Sequence, residues 1–349
     1  MMPNKHDLSL ALAVLMLLGP SRSGPGQTPP LAKRVAALVP FVDTHTHFDE
    51  HDPQGVVQSV LRAVPQENAS KIYLQIPPFG FDDPMTYDAE VILPAAKAHA
   101  DRVGVIGGGG SLNPMIMRSV STGDAGPQVR QKFRERAEEL LRLGVSGFGE
   151  MAAEHFVGAT PYEYAQPDHP LYLLLADIAA ERGVPIDIHM EAVPKAMALP
   201  PELKSPPNAA ELHENIAGFE RLLTHNPRAK IIWAHLGTDN TGFRTPEGSR
   251  RLLRTHPNLY MEIKYDPRAI GKNPVMVNGA VTPEWLKLFQ EFPDRFLIGS
   301  DQHYPEDGQP VRWPSVVTIL NQLPPDVRKK IGTDNPQHVF AVTRGSVRP

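Results

Sequence analysis

The chain has 349 residues, 41% of them hydrophobic and 21% charged, with a formal net charge of −4. Those proportions exclude a disordered or fibrous chain, and the scatter of Lys and Arg leaves out the basic stripe of a nucleic-acid binder. The absence of cysteine excludes disulfides, thiolate metal ligands and a cysteine-linked lipid anchor.

The first predicted element is a leader. Lys5 and His6 precede an apolar run from Leu8 to Leu18, too short to span a bilayer, and small or turn-forming residues follow from Gly19 to Gly26. This order predicts a signal peptide and leader over residues 1–26, hence an exported protein, periplasmic or secreted, with no membrane attachment after cleavage. Asp7 weakens the basic region, and an uncleaved anchor or disordered leader is the alternative.

From residue 36 to 345 one unit recurs: a short apolar, β-branched run, a loop, then a helix-period pattern, with many of the 37 prolines punctuating the loops. The first strand, 41–48 (FVDTHTHF), carries His45 and His47 two apart, so both side chains leave one face. Asp43 shares that face one step deeper, placed to orient a ligating imidazole. Val56, Val60, Leu61 and Val64 mark the first helix by their spacing. Strands at 71–77 and 103–107 follow, the latter ending in a glycine run, 107–110. That run lacks the Lys and Ser/Thr of a phosphate loop and predicts a close backbone approach instead. A helix marked by Phe133, Ala137, Leu140 and Leu141 leads to the fourth strand, 145–151, which carries Glu150.

The fifth strand, 184–190, ends on His189, with Asp187 and Glu191 flanking it on the same projected face. Asp187 is placed to support that histidine and Glu191 to cap the loop. A Pro-rich loop, 191–207, reads as either a lid or a rigid excursion. Leu212, Ile216, Phe219 and Leu223 mark another helix. The sixth strand, 230–236, carries His235, and the seventh, 259–265, carries Lys264. Arg244 and Arg268, in the loops after these two strands, read as anion selectors or surface ion-pair partners. Trp285, Leu288, Phe289 and Phe292 line a further helix, and the eighth strand, 296–301, ends on Asp301, with His303 two residues beyond. Trp233 and Tyr73 are expected in the core.

Eight nearly continuous apolar strands alternating with amphipathic helices predict one α/β domain, a (β/α)8 TIM barrel, over 36–345. Each lone ionisable or imidazole group sits near the C-terminal end of its strand, where such barrels place their chemistry. A buried lone carboxylate is costly unless paired or coordinated. The six groups together therefore predict a divalent cation, by ligand type most readily Zn2+, at His45, His47, Glu150, His189, His235 and Asp301.

In that order the motifs resemble the amidohydrolase superfamily, in its amidohydrolase-related branch. The resemblance spans Val42 to Phe340 and includes the closing segment NPQHVF. It implies a metal-dependent hydrolase in which His45, His47 and Asp301 hold one metal, His189 and His235 a second, and Glu150 bridges them. Many relatives carry a carbamylated lysine on the fourth strand; the glutamate here resembles the TatD-type branch. The implied chemistry is cleavage of a small ester, lactone, amide or phosphoester bond by activated water. Asp301 is the expected proton acceptor and donor, and Lys264 and His303 are the expected substrate contacts. Non-oxidative decarboxylation of an aromatic or unsaturated acid is the alternative, which Glu150 argues against. Nuclease action is disfavoured by the export signal and the lack of a basic groove, and a non-catalytic metal- or ligand-binding barrel stays open. The expected partner is a small-molecule substrate, with no nucleic acid and no membrane; a homo-oligomer is compatible with this composition.

Overall fold

Nine short parallel strands follow one another across the main sheet. A computed structural model describes residues 39–156, 162–203, 208–266, 271–306, 308 and 310–341. The predicted leader and Arg268 lie outside the described residues. The strands are β1 (Phe41–Phe48), β2 (Ala69–Gln75), β3 (Val103–Gly108), β4 (Phe148–His155) and β5 (Pro185–Met190), then β6 (Lys230–Leu236), β7 (Leu259–Ile263), β8 (Phe296–Ile298) and β9 (Gln302–Tyr304). Their order is β8-β7-β6-β5-β4-β3-β2-β1-β9, with every adjacent pair parallel. The segments β8 and β9, at opposite ends of this path, are separated by only residues 299–301 in the chain. Across that gap the Asp301 amide donates to the His45 carbonyl (2.8 Å) and the Thr44 hydroxyl donates to the Ile298 carbonyl (3.0 Å). The arrangement is consistent with a TIM-like barrel.

Helices bury one stripe each against this sheet. In α1 (Pro53–Glu67), Pro53 opens the helix and Asp52 caps it by accepting from the Gly55 amide. In α3 (Pro127–Leu143; α2 is Leu112–Thr122), Phe133, Ala137 and Leu140 are wholly buried, at i, i+4 and i+7. Burial of each large apolar side chain is worth roughly 1.5–3 kcal/mol. Trp285, Leu288 and Phe289 are the buried stripe of the helix Pro283–Glu291, which ends before Phe292. A short helix, Asn335–Val339, carries most of the closing NPQHVF segment. Among the described residues no helix is long and apolar enough to cross a membrane.

Several expectations need correction. Leu212 belongs not to a helix but to a two-residue strand, Glu211–Leu212, paired antiparallel with Met197–Ala198. This pairing pins the described part of the 191–207 loop, and Val193, Leu199 and Leu212 form their own buried cluster. The predicted eighth strand breaks at residues 299–301. There Gly299 passes so close to its neighbours that a Cβ would lie 2.4 Å from Glu262 Oε1 and 2.6 Å from His45 Cβ. Asp301 then takes a left-handed backbone, φ 55°. The glycine run 107–110 does serve close approach, but to neighbouring loops: a Cβ on Gly109 would lie 2.4 Å from the Ile76 and Pro77 carbonyl oxygens.

Candidate metal centre

The six predicted ligands, five on β1, β4, β5 and β6 and Asp301 in the break after β8, meet beneath one cavity. His45 and His47 stand on β1 with ring centroids 5.1 Å apart, and the His235 ring lies 4.4 Å from that of His45. Glu150, on β4, is the hub. Its Oε1 lies 2.7 Å from His189 Nδ1 and 3.2 Å from His235 Nε2. Its Oε2 lies 3.6 Å from His45 Nε2 and 3.5 Å from His47 Nε2. Asp301 Oδ1 is 3.2 Å from His47 Nε2 and 3.9 Å from His45 Nε2. Among these six, two sets have ligand atoms within 4.8 Å of one another: His45, His47 and Asp301, and His45, Glu150 and His235. His189 touches Glu150 but belongs to neither set.

Neighbouring groups orient the imidazoles. His47 Nδ1 lies 3.1 Å from the Gln75 carbonyl, and donating there leaves Nε2 free for coordination. The Gln75 side-chain amide lies 2.9 Å from His45 Nδ1. Glu262, wholly buried on β7, accepts from the His235 amide (2.7 Å) and lies 3.3 Å from His235 Nδ1. Asp187 Oδ2 stands 3.6 Å from His45 Nδ1. It thus faces the first-strand histidine across the sheet, while the Nδ1 of its strand neighbour His189 is taken by Glu150. Asp43 does not reach an imidazole nitrogen: its Oδ1 accepts the amides of His45 (3.3 Å) and Ser300 (2.9 Å), pinning β1 to the break in the last strand. Two centre residues, His235 (φ 65°) and Asp301 (φ 55°), hold left-handed backbones that non-glycine residues rarely adopt.

Arg244 corrects both of its expected roles, because it is neither on the surface nor in the cavity. It is 1% exposed. Its Nη1 donates to the carbonyls of Ala234 (3.0 Å) and His235 (2.6 Å), its Nη2 to that of Met190, and its guanidinium stacks on Trp233. It ties the ends of β5 and β6 together beside His189 and His235. Trp233 and Tyr73 are buried as expected. Glu191 is buried too and accepts from the Asn240 side chain (2.6 Å), joining two loops.

The electrostatics suit a cation. Burial opposes ionisation of Glu150, yet His45 and the hydrogen bonds of His189 and His235 outweigh it and hold the carboxylate well below its usual range. Burial also opposes ionisation of Asp301, but Lys264 and His47 lead the groups that hold it low. Burial disfavours the charged form of His45 as well, and Asp187 and Glu150 overcome it, lifting this imidazole well above its usual range. Two ionised carboxylates thus draw a positive charge into the middle of the cluster. Burial and Lys264 keep His235 well below its usual value, hence neutral, which is the ligating form of imidazole. Ionised carboxylates, neutral imidazole and a demand for central positive charge together fit a divalent ion.

The cavity above, about 240 Å³, is lined by five of these six groups and by Lys264, Arg312, His155, His303, Pro77 and Pro78. Lys264 Nζ lies 2.6 Å from Asp301 Oδ2, so its side chain points into the site and not outward between helices. Arg312 Nη1 donates to the Asp301 carbonyl and to Oδ2. The His303 ring packs 5.1 Å from His47, and burial, with His47 nearby, pushes its pKa down to about 4. Gln75, Glu262 and Arg312 are absent from the sequence-based set. A lone polar residue in an apolar strand flags the first two, as it flags Glu150; Arg312 sits in a loop that carries no such signal.

The Amidohydro_2 profile, described as Amidohydrolase, matches residues 42–342. A ligand-free structure from Agrobacterium tumefaciens is similar at 12% identity and TM-score 0.49, covering 86% of this chain and 95% of that one. Amidohydrolase 2 from Bifidobacterium longum subsp. infantis is similar at 12% identity and TM-score 0.46, covering 87% and 99%. An amidohydrolase from Mycobacterium avium subsp. paratuberculosis is similar at 12% identity and TM-score 0.41, covering 83% and 76%. No curated protein matches the chain. With the family profile spanning nearly the whole described sheet and every strand that feeds the buried His/Asp/Glu cluster, the chain belongs to the amidohydrolase superfamily of enzymes.

Proposed function

We propose that this enzyme is a metal-dependent hydrolase on a closed (β/α)8 barrel, cleaving a small ester, lactone, amide or phosphoester bond. The observation that carries the reading is the position of Glu150, one oxygen facing His189 and His235 and the other facing His45 and His47. In this reading His45, His47 and Asp301 hold one ion, His189 and His235 a second, and Glu150 joins them in the manner of TatD-type relatives. Imidazole and carboxylate ligands favour Zn2+, with Mn2+ and Fe2+ also accommodated. Bound there, the metal supplies Lewis acidity, lowering the pKa of water and polarising a substrate oxygen.

The chain's own groups supply the rest. Asp301 is ionised at neutral pH because Lys264 and His47 outweigh its burial, so its carboxylate accepts the proton of the attacking water and returns it to the leaving group. His47, oriented by the Gln75 carbonyl, and His235, whose backbone amide is held by Glu262, keep their Nε2 atoms aimed inward. Lys264 and His303 border the place where substrate sits. The leader over residues 1–26 belongs to the same reading as a cleaved export signal; N-terminal sequencing of the mature protein, fractionated by compartment, tests it.

Metal analysis of the purified protein, followed by a panel of esters, lactones, amides and phosphoesters, tests the function. Chelation should abolish turnover and Zn2+ should restore it. A fully loaded protein inert across the panel, or one that releases CO2 from an aromatic acid, overturns the hydrolase reading.

A further inference from the structure

Among the described residues that line the cavity, Pro77 and Pro78 alone lack a polar side-chain group; the others each bring a charged group or an imidazole. Whatever fills the cavity must match these polar groups, since a buried polar group left unpaired is costly. The charge that faces the cavity also leaves no surplus of anion for a metal. Lys264 and Arg312 offset Glu150 and Asp301, so each divalent ion these carboxylates take adds two positive charges without a counter-anion.

Arg312 is held for such a task. Its amide donates to the Gln302 side chain (2.7 Å) and its Nη1 rests on Asp301, which fixes where the guanidinium lies. A guanidinium carries five N–H donors in a planar fork matched to two oxygens of one oxyanion. Among the described residues Nε and Nη2 have no partner, and the side chain is 21% exposed where it borders the cavity. Lys264 Nζ approaches the same Asp301 oxygen from the end of β7, and His303 completes this side of the wall.

We infer that the substrate carries an oxyanion, a carboxylate or phosphate group remote from the bond cleaved, seated on Arg312 with Lys264 and His303 beside it. The inference rests on the proposed metal site, and it makes Arg312 a specificity-determining residue of the reaction. The anion fixes the orientation of the scissile group while the groups on β1, β4, β5 and β6 surround it.

Binding, which needs no turnover, tests this independently of the hydrolase reading. The Zn2+-loaded protein is titrated calorimetrically with inorganic phosphate, with mono- and dicarboxylates of two to six carbons, and with the neutral amide of each carboxylate. At least one anion should bind tenfold or more tightly than its amide, and the phosphate arm separates phosphate from carboxylate selectivity. Arg312→Gln, checked for metal content, should lose about tenfold or more of the anion affinity while leaving amide affinity in place. No anion preference overturns the inference. So does an Arg312→Gln variant that weakens anion and amide alike, which would mean that Arg312 acts only through Asp301, or one that weakens neither, which would leave the metal alone holding the anion.

Discussion

Glu150 and Glu154 lie four residues apart on β4, both buried, and they are driven in opposite directions. Glu150 is surrounded by four imidazoles and is held well below the usual carboxylate range despite its burial. Glu154 has the Tyr162 hydroxyl at 2.8 Å and the Asn215 side chain at 3.4 Å. Burial pushes it up to about 8 against these neutral donors, with Glu191 adding to the rise. Burial alone makes a carboxyl group neutral; a positive neighbour together with hydrogen bonds to the anion keeps it ionised. One strand thus holds a metal-ready carboxylate at the sheet's centre and a loop-binding carboxyl at its rim.

The largest effect expected from breaking this contrast is at the other ionised carboxylate. Asp301→Asn should lower kcat by about 10³-fold while retaining much of the metal; steady-state kinetics with metal quantified per chain decides it. Normal turnover in that variant removes Asp301 from proton transfer. Next, Glu150→Gln should weaken Zn2+ binding by about 10- to 100-fold in a chelator competition, while Glu154→Gln should leave it unchanged. Equal losses in both variants would erase the distinction between the two glutamates.

A smaller loss, about tenfold in metal affinity, is expected for Arg244→Met, because three carbonyls beside His189 and His235 lose their common donor. Arg244→Lys, which keeps one ammonium for those carbonyls, should recover part of it. Retained native affinity in the Met variant would reduce Arg244 to a packing role. A last effect, on stability and not on metal binding or turnover, concerns pH. Glu154 has a folded pKa raised to about 8, so its contribution to stability is whole below the ordinary glutamate range and is lost as pH rises through about 8. Glu154→Gln should therefore flatten the decline in melting temperature between pH 5 and 9, an effect on the order of a few kcal/mol at most. Parallel melting curves for wild type and variant across that range would show that Glu154 ionises freely in the folded state.

Much of the site was legible because strand periodicity converts spacing into direction. His45 and His47, two apart on an apolar strand, share a face, and each remaining ligand is the lone polar group near the end of its own run. Glu262 and Gln75 carry the same signal, but whether a lone polar residue supports a ligand or serves as one depends on distances across strands. Arg244 and Arg312 were not legible. Both are loop arginines, and nothing local distinguishes one buried against three carbonyls from one open to a cavity.

By itself, then, the sequence determined the alternation of strands and helices, the strands that carry five of the six ligands, and the family. Hydrophobic period and lone polar intrusions are local properties of the chain, so they can be read in one dimension. Only the tertiary structure decided that the last strand breaks at Gly299 to let β1 and β7 approach. It also decided which glutamate on β4 is ionised, and which arginine faces the cavity. Those outcomes depend on charges and backbones brought together from residues as far apart as His45 and Asp301, and through-space electrostatics and steric contact have no signature in local spacing.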